Sequence, residues 1–263
     1  MTAGALDPGV DPDRWLSADR GALWEVARVV GVERGASATS LRLRLAEPTP
    51  ALPGQYYLVR LAVDVPPGVI EQAYSLCSSP YPPTANIEIV VREVPGGRAS
   101  PLLARRVQVG DVLQVQGPFG FLTWTKGDGG PLGLIGAGSG VAPLASIVRY
   151  ATACHLEVPM TLLCSSRDRA RALLGSELLA LSQHLSWLTL VQTFTRSPRD
   201  PSVLYHRRID ADLLAEVMGM GHDEQLAPRA FYVAGPADMV RSVRAALSDL
   251  GVPDPAINSE YHV

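Results

Sequence analysis

The sequence predicts a two-domain protein of the β plus α/β class, in which an antiparallel β-barrel precedes a domain with a parallel sheet. Before residue 126, short apolar stretches alternate with Gly and Pro turns, whereas after residue 130 apolar strands alternate with helical stretches. The length of 263 residues agrees with two domains of about 100–200 residues each. We therefore expect a loose tail over residues 1–20, a barrel domain over 21–126 and an α/β domain over 130–263.

The first half is predicted to consist of strands because its apolar residues recur at every second position. The clearest case is the segment 41–45, in which leucines and arginines alternate. Gly and Pro pairs separate the candidate strands, as is typical of the tight turns of a small barrel. The predicted strands are 24–30, 41–45, 56–63, 73–77, 86–94 and 111–116, and one short helix is predicted at 100–105.

The second half has a different pattern, which begins after a hinge predicted at residues 126–130. Short apolar strands alternate with longer amphipathic stretches, and this order predicts βαβ units around a parallel sheet. The predicted strands are 132–135, 160–164, 187–194 and 230–233, with a final strand near the C-terminus, and the predicted helices are 143–152, 176–184, 209–218 and 236–250.

Composition excludes several classes of function. A net charge of −3 gives no basic field for nucleic acid or an anionic membrane. The sequence contains no apolar run of about 18 residues, so no transmembrane helix is predicted. The first 20 residues lack the features of a secretory signal. The 3 cysteines are too few and too dispersed for a disulfide framework or a four-thiolate cluster. We expect a cytoplasmic protein that binds no metal.

A glycine-rich segment, 136–143, follows the first strand of the second half and opens a helix. Gly136, Gly138 and Gly140 would let a pyrophosphate approach the backbone N–H groups at the helix start. Val141 stands where the usual dinucleotide fingerprint has its third glycine, and Pro143 is predicted at the first helical position. The segment is either a dinucleotide-binding turn or simply a tight connection.

Three further segments lie at predicted strand ends, where ligands bind in open α/β sheets. Ser165 and Arg167 follow the second strand. They slightly favour binding of a 2′-phosphate, and therefore NADP over NAD. Alternatively, Arg167 is a solvated loop residue. A second strand-to-helix junction contains Gly235, Pro236 and Met239. The pair Glu260-Tyr261 follows the last strand, and its aromatic ring either covers a flat ligand or belongs to the core or surface.

In their order and spacing, these motifs resemble the ferredoxin–NADP reductase superfamily, especially the flavoprotein reductases that serve oxygenases, over about residues 24–261. In that family an Arg-x-Tyr-Ser strand binds flavin; here the segment reads Gln72-Ala73-Tyr74-Ser75. The resemblance implies that Tyr74 lies against the flavin and that Ser75 lies near its reactive N5. It further implies FAD contacts from Val90, Val91 and Arg92, and from the pyrophosphate turn that contains Gly97, Ala99 and Ser100.

The resemblance also assigns the second half. Segment 136–143 matches the family's nicotinamide dinucleotide turn, Gly235-Pro236 matches its Cys-Gly-Pro motif, and Glu260-Tyr261 matches its acidic-aromatic pair near the flavin. Segments 109–111 and 117–120 match turns of its barrel. Two residues depart from the family pattern. Gln72 replaces an arginine that pairs with FAD phosphate, for which Arg92 or Arg98 would compensate, and Ala234 replaces the cysteine beside the nicotinamide.

The implied function is hydride transfer from NADPH or NADH to FAD, with Ser75 and Glu260 as catalytic residues. Without an iron–sulfur module in this sequence, electrons are expected to pass to a separate ferredoxin, an oxygenase or a small acceptor. One alternative is a flavin or ferric-chelate reductase that holds flavin loosely, which Gln72 favours. The other is a non-catalytic nucleotide-sensing or scaffolding subunit that retains the fold. The oligomeric state stays open.

Overall fold

The computed structural model describes residues 24–64, 67–197, 200–220 and 227–262, so the predicted tail at 1–20 lies outside the described residues. Within them, a six-stranded antiparallel sheet is followed by a five-stranded parallel sheet. This arrangement confirms the predicted fold class. It also places the two sheets one after the other along the chain, in the predicted order.

The first sheet curves into a barrel. Its strands are β1 (Glu25–Arg34), β2 (Thr39–Arg44), β3 (Tyr56–Asp64), β4 (Pro67–Ser75), β5 (Asn86–Val91) and β6 (Val112–Phe119), in the order β4-β3-β6-β1-β2-β5. A bridge between Leu76 and Ile89 joins the two edge strands. The predicted short helix is confirmed as α1 (Ser100–Arg105).

The alternation seen in the sequence decides which side chains fill the barrel. Leu41 and Leu43 of β2 are fully buried, whereas Arg42 and Arg44, which follow them in turn, are exposed. Successive side chains of a strand point to opposite faces, so one row of leucines enters the core and the arginines stay in water. Burial of such a leucine stabilises the fold by about 2 kcal/mol.

Several strand ends differ from the prediction. β4 begins at Pro67 rather than at residue 73, because its first half pairs with β3 in a long hairpin that the Pro-Gly sequence does not reveal. A proline is tolerated as the first residue of an edge strand. β5 ends at Val91, whereas β6 continues through Gly117 and Pro118 to Phe119.

The second sheet has the strand order β11-β10-β7-β8-β9, all parallel. Its strands are β7 (Leu132–Ala137), β8 (Met160–Ser166), β9 (Leu188–Phe194), β10 (Ala230–Pro236) and β11 (Ile257–His262). Its helices are α2 (Val141–Ala153), α3 (Gly175–His184), α4 (Ala211–Val217) and α5 (Ala237–Asp249). The chain reverses its direction of winding between β7 and β10, which is where open α/β sheets bind ligands.

The start of α2 corrects one prediction. The helix begins at Val141, so Pro143 occupies its third position and not its first. The reason is a 3₁₀ turn over Gly138–Gly140 that runs directly into the helix. Proline remains compatible there because the first N–H groups of a helix have no intrahelical acceptor.

The predicted hinge at 126–130 forms an ordered turn. Residues Lys126–Asp128 make a 3₁₀ turn in which the Asp128 carboxylate accepts hydrogen bonds from the backbone N–H and the hydroxyl of Thr125. Trp124, which is fully buried, donates its indole N–H to the backbone oxygen of Gly129 at 2.8 Å. These contacts hold the connection between the two sheets in one conformation.

Candidate functional site

The end of β4 places an unusual pair of polar groups in the barrel wall. Tyr74 and Ser75 are both 9% exposed. The Tyr74 hydroxyl is buried and has no hydrogen-bond partner within the described parts of the chain, and burial raises the pKa of Tyr74. An unpaired buried hydroxyl costs about 1–3 kcal/mol. A polar ligand atom at this position would remove that cost.

Gln72 lies on the same strand, two residues before Tyr74, and its side chain is exposed. It stands opposite Val59 of β3 in the strand register. An exposed amide of this kind is available to a ligand on the outer surface of the barrel. It carries no charge with which to pair a phosphate.

The predicted pyrophosphate turn precedes α1. The backbone N–H of Gly97 donates to the backbone oxygen of Val94 at 2.9 Å, and Ser100 Oγ accepts from the backbone N–H of Val94 at 3.0 Å. Ala99 and Ser100 are buried. The turn is therefore rigid, and the Ser100 hydroxyl keeps its own hydrogen available as a donor.

The outer face of β5 meets the second sheet's helices and turns. Val91 points into the barrel core, whereas Glu88, Val90 and Arg92 alternate with the core residues and face the second half of the chain. A methyl group added at Gly138 would lie 2.9 Å from Nη1 of Arg92. Arg92 thus lies over the glycine turn. This contact joins the predicted FAD segment to the predicted dinucleotide segment.

The charge around Arg92 is strongly positive. Burial, followed by the nearby Arg167 and Arg171, lowers the pKa of Arg92. Arg171 is paired with Asp168, whose carboxylate also accepts from the Arg171 backbone N–H. Arg167 is exposed, and Ser165 is half-buried at the end of β8. The cations therefore outnumber the carboxylates here, which suits an anionic ligand.

The glycine turn, residues 136–140, packs against the end of β10. A methyl group at Gly140 would overlap the backbone oxygen of Ala234, and one at Gly235 would lie 2.7 Å from the Met239 methyl carbon. Gly138 has φ of 59°, in the left-handed region that favours glycine. The two strand-to-helix junctions predicted from sequence are thus in contact, with exposed Pro236 at their rim.

The last strand connects the glycine turn to the barrel. An oxygen of the Glu260 carboxylate, Oε2, would lie 3.5 Å from a methyl group at Gly120, and the Tyr56 ring approaches the same position at 3.0 Å. Tyr56 is the register partner of Ser75 on the neighbouring strand. Glu260 therefore reaches the barrel end that carries the Tyr-Ser pair, whereas the Tyr261 side chain is 51% exposed.

Sequence reasoning missed three residues that assemble this region. His262 bonds both Glu260 and Ser139. Ser146 and Arg149, both on α2, bond the backbone oxygens of Ser78 and Cys77, each at 2.8 Å. The spacing of Glu260 and His262, two apart on a predicted strand, was a usable signal for their common face. Nothing in the local sequence indicates the α2 contacts.

Two classes of site have no support within the described residues. No group of three or more His, Cys, Asp or Glu side chains there is placed to hold a metal ion. None of the helices in this part of the chain is both long enough and apolar enough to cross a membrane.

Two family models match the two halves of the chain. An oxidoreductase FAD-binding domain matches residues 32–124, and an oxidoreductase NAD-binding domain matches residues 134–245. The chain belongs to the ferredoxin–NADP reductase superfamily. The predicted pair of cofactors, FAD and a nicotinamide dinucleotide, is confirmed for the two domains at this level.

Similar proteins agree with membership of the superfamily. The reductase component of propane 2-monooxygenase from Mycolicibacterium smegmatis is 27% identical over 216 residues, covering 81% of this chain and 60% of that protein. The ferredoxin–NAD(P)(+) reductase component of the naphthalene 1,2-dioxygenase/salicylate 5-hydroxylase systems from Ralstonia sp. is 28% identical over 217 residues, covering 81% of this chain and 60% of that protein.

A solved structure shows the same fold. The crystal structure of Amycolatopsis cytochrome P450 reductase GcoB superposes with a TM-score of 0.76 at 27% identity, covering 91% of this chain and 70% of that one. The chain spans about 60% of the length of the curated relatives named above. Both oxidoreductase domains of the superfamily are therefore present, while the relatives extend further.

Proposed function

We propose that this superfamily member is an FAD-dependent NAD(P)H reductase that passes electrons to a separate acceptor. FAD, when bound, accepts hydride from the reduced nicotinamide and supplies electrons to that acceptor. The observation that carries the proposal is the reach of Glu260 across the domain boundary. From the nucleotide-binding half, its carboxylate lies at Gly120, beside the ring of Tyr56, which neighbours Ser75.

The residues present fit a flavin. The buried, unpartnered hydroxyl of Tyr74 offers a hydrogen bond to a polar ring atom, and Ser75 presents its hydroxyl from the next position of the strand. Val90, Arg92 and the backbone of Val91, whose side chain is buried in the barrel core, would hold the remainder of the cofactor together with the turn containing Gly97, Ala99 and Ser100. Ser75 would orient the reactive edge, and Glu260 would hold or release a proton there.

The glycine turn fits the pyrophosphate of a nicotinamide dinucleotide. Gly136, Gly138, Gly140 and Pro143 would place the N-terminus of α2 against that anion, since the turn runs directly into the helix. Gly235, Pro236 and Met239 would form the opposite wall, since Gly235 lies against Ala137 and Met239. Ser165 and Arg167 at the end of β8 would contact the adenosine end, and the nearby arginines favour the extra charge of a 2′-phosphate.

The names of the relatives support one class of acceptor. Those relatives are reductase components of oxygenase systems, and one is a ferredoxin reductase component. We propose a ferredoxin or an oxygenase as the partner, with a small acceptor as the alternative. We also propose that residues 21–126 and 130–263 are the two domains.

One observation favours a variation of this function, in which flavin is exchanged as a loosely held substrate. The exposed, uncharged Gln72 replaces the arginine of the family motif. The lost charge-assisted hydrogen bond is worth about 1.5–3 kcal/mol, or roughly ten- to a hundredfold in affinity. The affinity for FAD, measured by titration of the flavin-free protein, separates the two forms of the proposal.

The deciding experiment is an anaerobic titration of the purified protein. We expect a yellow protein, or one that becomes yellow with added FAD, whose flavin absorption bleaches on addition of NADPH or NADH. A colourless protein that takes up no FAD and oxidises neither nucleotide would exclude the reductase and favour a non-catalytic subunit.

A further inference from the structure

His262 occupies the junction between the glycine turn and the last strand. Its ring nitrogen Nδ1 lies 3.0 Å from Ser139 Oγ, and its Nε2 lies 2.9 Å from the Glu260 carboxylate. Both ring nitrogens are therefore engaged, one with the glycine turn and one with the last strand. This arrangement connects the nucleotide-binding turn to the one carboxylate that the proposed function uses.

The strand register explains why these groups meet. β11 runs parallel to β10, with Glu260 opposite Ala234 and His262 opposite Pro236. Residues two apart on a strand share a face, so both side chains point towards the glycine turn. Their side chains are largely buried, with 20% of Glu260 and 12% of His262 exposed. The contacts are consequently shielded from competing water.

The second carboxylate oxygen of Glu260 completes the arrangement. Oε1 faces His262, while Oε2 lies on the side of Gly120, 3.5 Å from where a methyl group there would stand. The carboxylate is thus held by an imidazole on one side and directed to the barrel on the other. An otherwise rotatable glutamate side chain is restricted to one orientation.

We propose that His262 is a positioning residue, which orients the Glu260 carboxylate towards the barrel and anchors it to the glycine turn through Ser139. This inference rests on the proposed function, because it assigns a role relative to the reacting edge of the flavin. A carboxylate accepts hydrogen bonds only, so the Nε2 proton is donated to Glu260. In the neutral ring, Nδ1 then accepts the Ser139 hydroxyl.

The test compares His262→Ala, His262→Gln and a matched control, His184→Gln. His184 is exposed, and its ring bonds a backbone oxygen of its own helix, α3, at 2.7 Å. With NADPH or NADH, His262→Ala is expected to lower kcat about tenfold or more, because an acid–base group loses the partner that orients it. The KM for the nucleotide is expected to change less than about threefold. Glutamine, which retains a donor, should recover part of the loss.

A kcat for His262→Ala within about twofold of wild type would overturn the proposal. A raised KM with unchanged kcat would overturn it too, because the role of His262 would then be nucleotide binding. No recovery by glutamine would likewise count against it, since an amide donor can reach the same carboxylate.

A second measurement does not depend on turnover. Nitrogen-15 NMR of the histidine rings in the purified protein should show His262 protonated at Nε2, with a shift that changes in Glu260→Gln but not in His184→Gln. An Nδ1-protonated ring, or a His262 signal unaffected by Glu260→Gln, would overturn the positioning role. If the wild type oxidises neither nucleotide, the proposed function fails, and this spectrum still decides whether His262 holds Glu260.

Discussion

The guanidinium of Arg149 donates a hydrogen bond to the backbone oxygen of Cys77 at 2.8 Å, and thereby joins α2 to the chain just beyond the Tyr-Ser pair of β4. The same side chain forms ion pairs with Glu88 of β5 at 3.3 Å and with Glu177 of α3 at 2.6 Å. Although burial opposes its charge, the bond to Glu177 and the nearby Glu88 raise the pKa of Arg149. One cation close to the candidate site therefore contacts both domains, beside the hydrogen bond of Ser146 to the Ser78 oxygen.

Arg149→Met should destabilise the protein by about 2–4 kcal/mol, because it removes the cation that pairs with the partly buried Glu88 and the donor to the Cys77 oxygen. Urea unfolding measures this loss. The matched control is Arg241→Met, since Arg241 forms an exposed pair with Asp238 and should cost less than about 0.5 kcal/mol. Equal losses in the two variants would contradict a special role for Arg149 at the domain interface.

Gly140→Ala should disrupt the glycine turn, because the added methyl group overlaps the backbone oxygen of Ala234, which cannot easily move within β10. Overpacking of this kind costs about 1–3 kcal/mol. We expect a lower Tm and weaker NADP+ binding by calorimetry. Gly68→Ala serves as the control, since a methyl group there meets no atom within 4 Å. Wild-type binding in Gly140→Ala would refute the assignment of this turn.

Tyr74→Phe should have opposite effects on the flavin-free and flavin-bound protein. Removal of a buried, unpaired hydroxyl should raise the free energy of unfolding of the flavin-free protein by up to about 1 kcal/mol. The affinity for FAD should fall about three- to tenfold, because a hydrogen bond to the ligand is lost. Denaturant unfolding and FAD titration measure the two effects.

The control for this variant is Tyr205→Phe, because the Tyr205 hydroxyl donates to Glu216 at 2.8 Å. That change should lower stability slightly and leave FAD affinity unaltered. If Tyr74→Phe destabilises the flavin-free protein and binds FAD normally, the Tyr74 hydroxyl is not a ligand contact.

Gln72→Arg should strengthen FAD binding about tenfold or more, since a charge-assisted hydrogen bond to phosphate is worth about 1.5–3 kcal/mol. The increase should diminish at high salt, as for an ion pair at an exposed position. Gln114→Arg adds the same charge to an exposed position of β6 and should leave FAD affinity unchanged. An equal gain in both variants would indicate only a general effect of positive charge.

Stability should fall at alkaline pH. Burial raises the pKa of the Cys164 thiol from 9.0 to about 12, so the folded protein keeps a proton that the unfolded chain releases above pH 9. Because the unfolded state then binds fewer protons, the free energy of unfolding decreases by about 1 kcal/mol per pH unit between these values. Tyr232, whose pKa burial and Asp128 raise to about 12, adds to the decrease from pH 10.

Urea unfolding at pH 8, 9 and 10 measures this slope. Cys164→Ala should lower stability at every pH, because it shortens a buried side chain, yet it should flatten the slope between pH 9 and 10. An unchanged slope in this variant would show that the Cys164 thiol does not account for the alkaline loss.

The local chemistry of the chain was sufficient to predict the helices, most strands and the position of the glycine turn. Helix α1 begins and ends at the predicted residues; the Pro95-Gly96-Gly97 turn precedes it, and Pro101 stands in its first turn, where proline is tolerated. The glycine turn was also evident, since glycine favours the left-handed backbone of Gly138 and allows the close approach of Gly140 to Ala234. Such features depend on sterics within a few residues.

Contacts between distant parts of the chain depended on the tertiary structure. The pairing of His262 with Ser139 spans 123 residues, and that of Arg149 with Cys77 spans 72. The early start of β4 at Pro67 likewise follows from its pairing with β3, which overrides the turn tendency of Pro-Gly. Periodicity in the sequence indicates which face of an element is buried. It does not indicate which residues of another element pack against that face.

The amino-acid sequence alone therefore established the two-domain architecture, the Tyr74-Ser75 strand end and the glycine turn, because each is encoded by neighbouring residues. Only the folded chain showed that Arg92 lies over Gly138, and that Glu260, held by His262, reaches the barrel at Gly120. These juxtapositions arise from the packing of one sheet against the other. That packing reflects the summed burial and pairing of many side chains, which no short segment specifies.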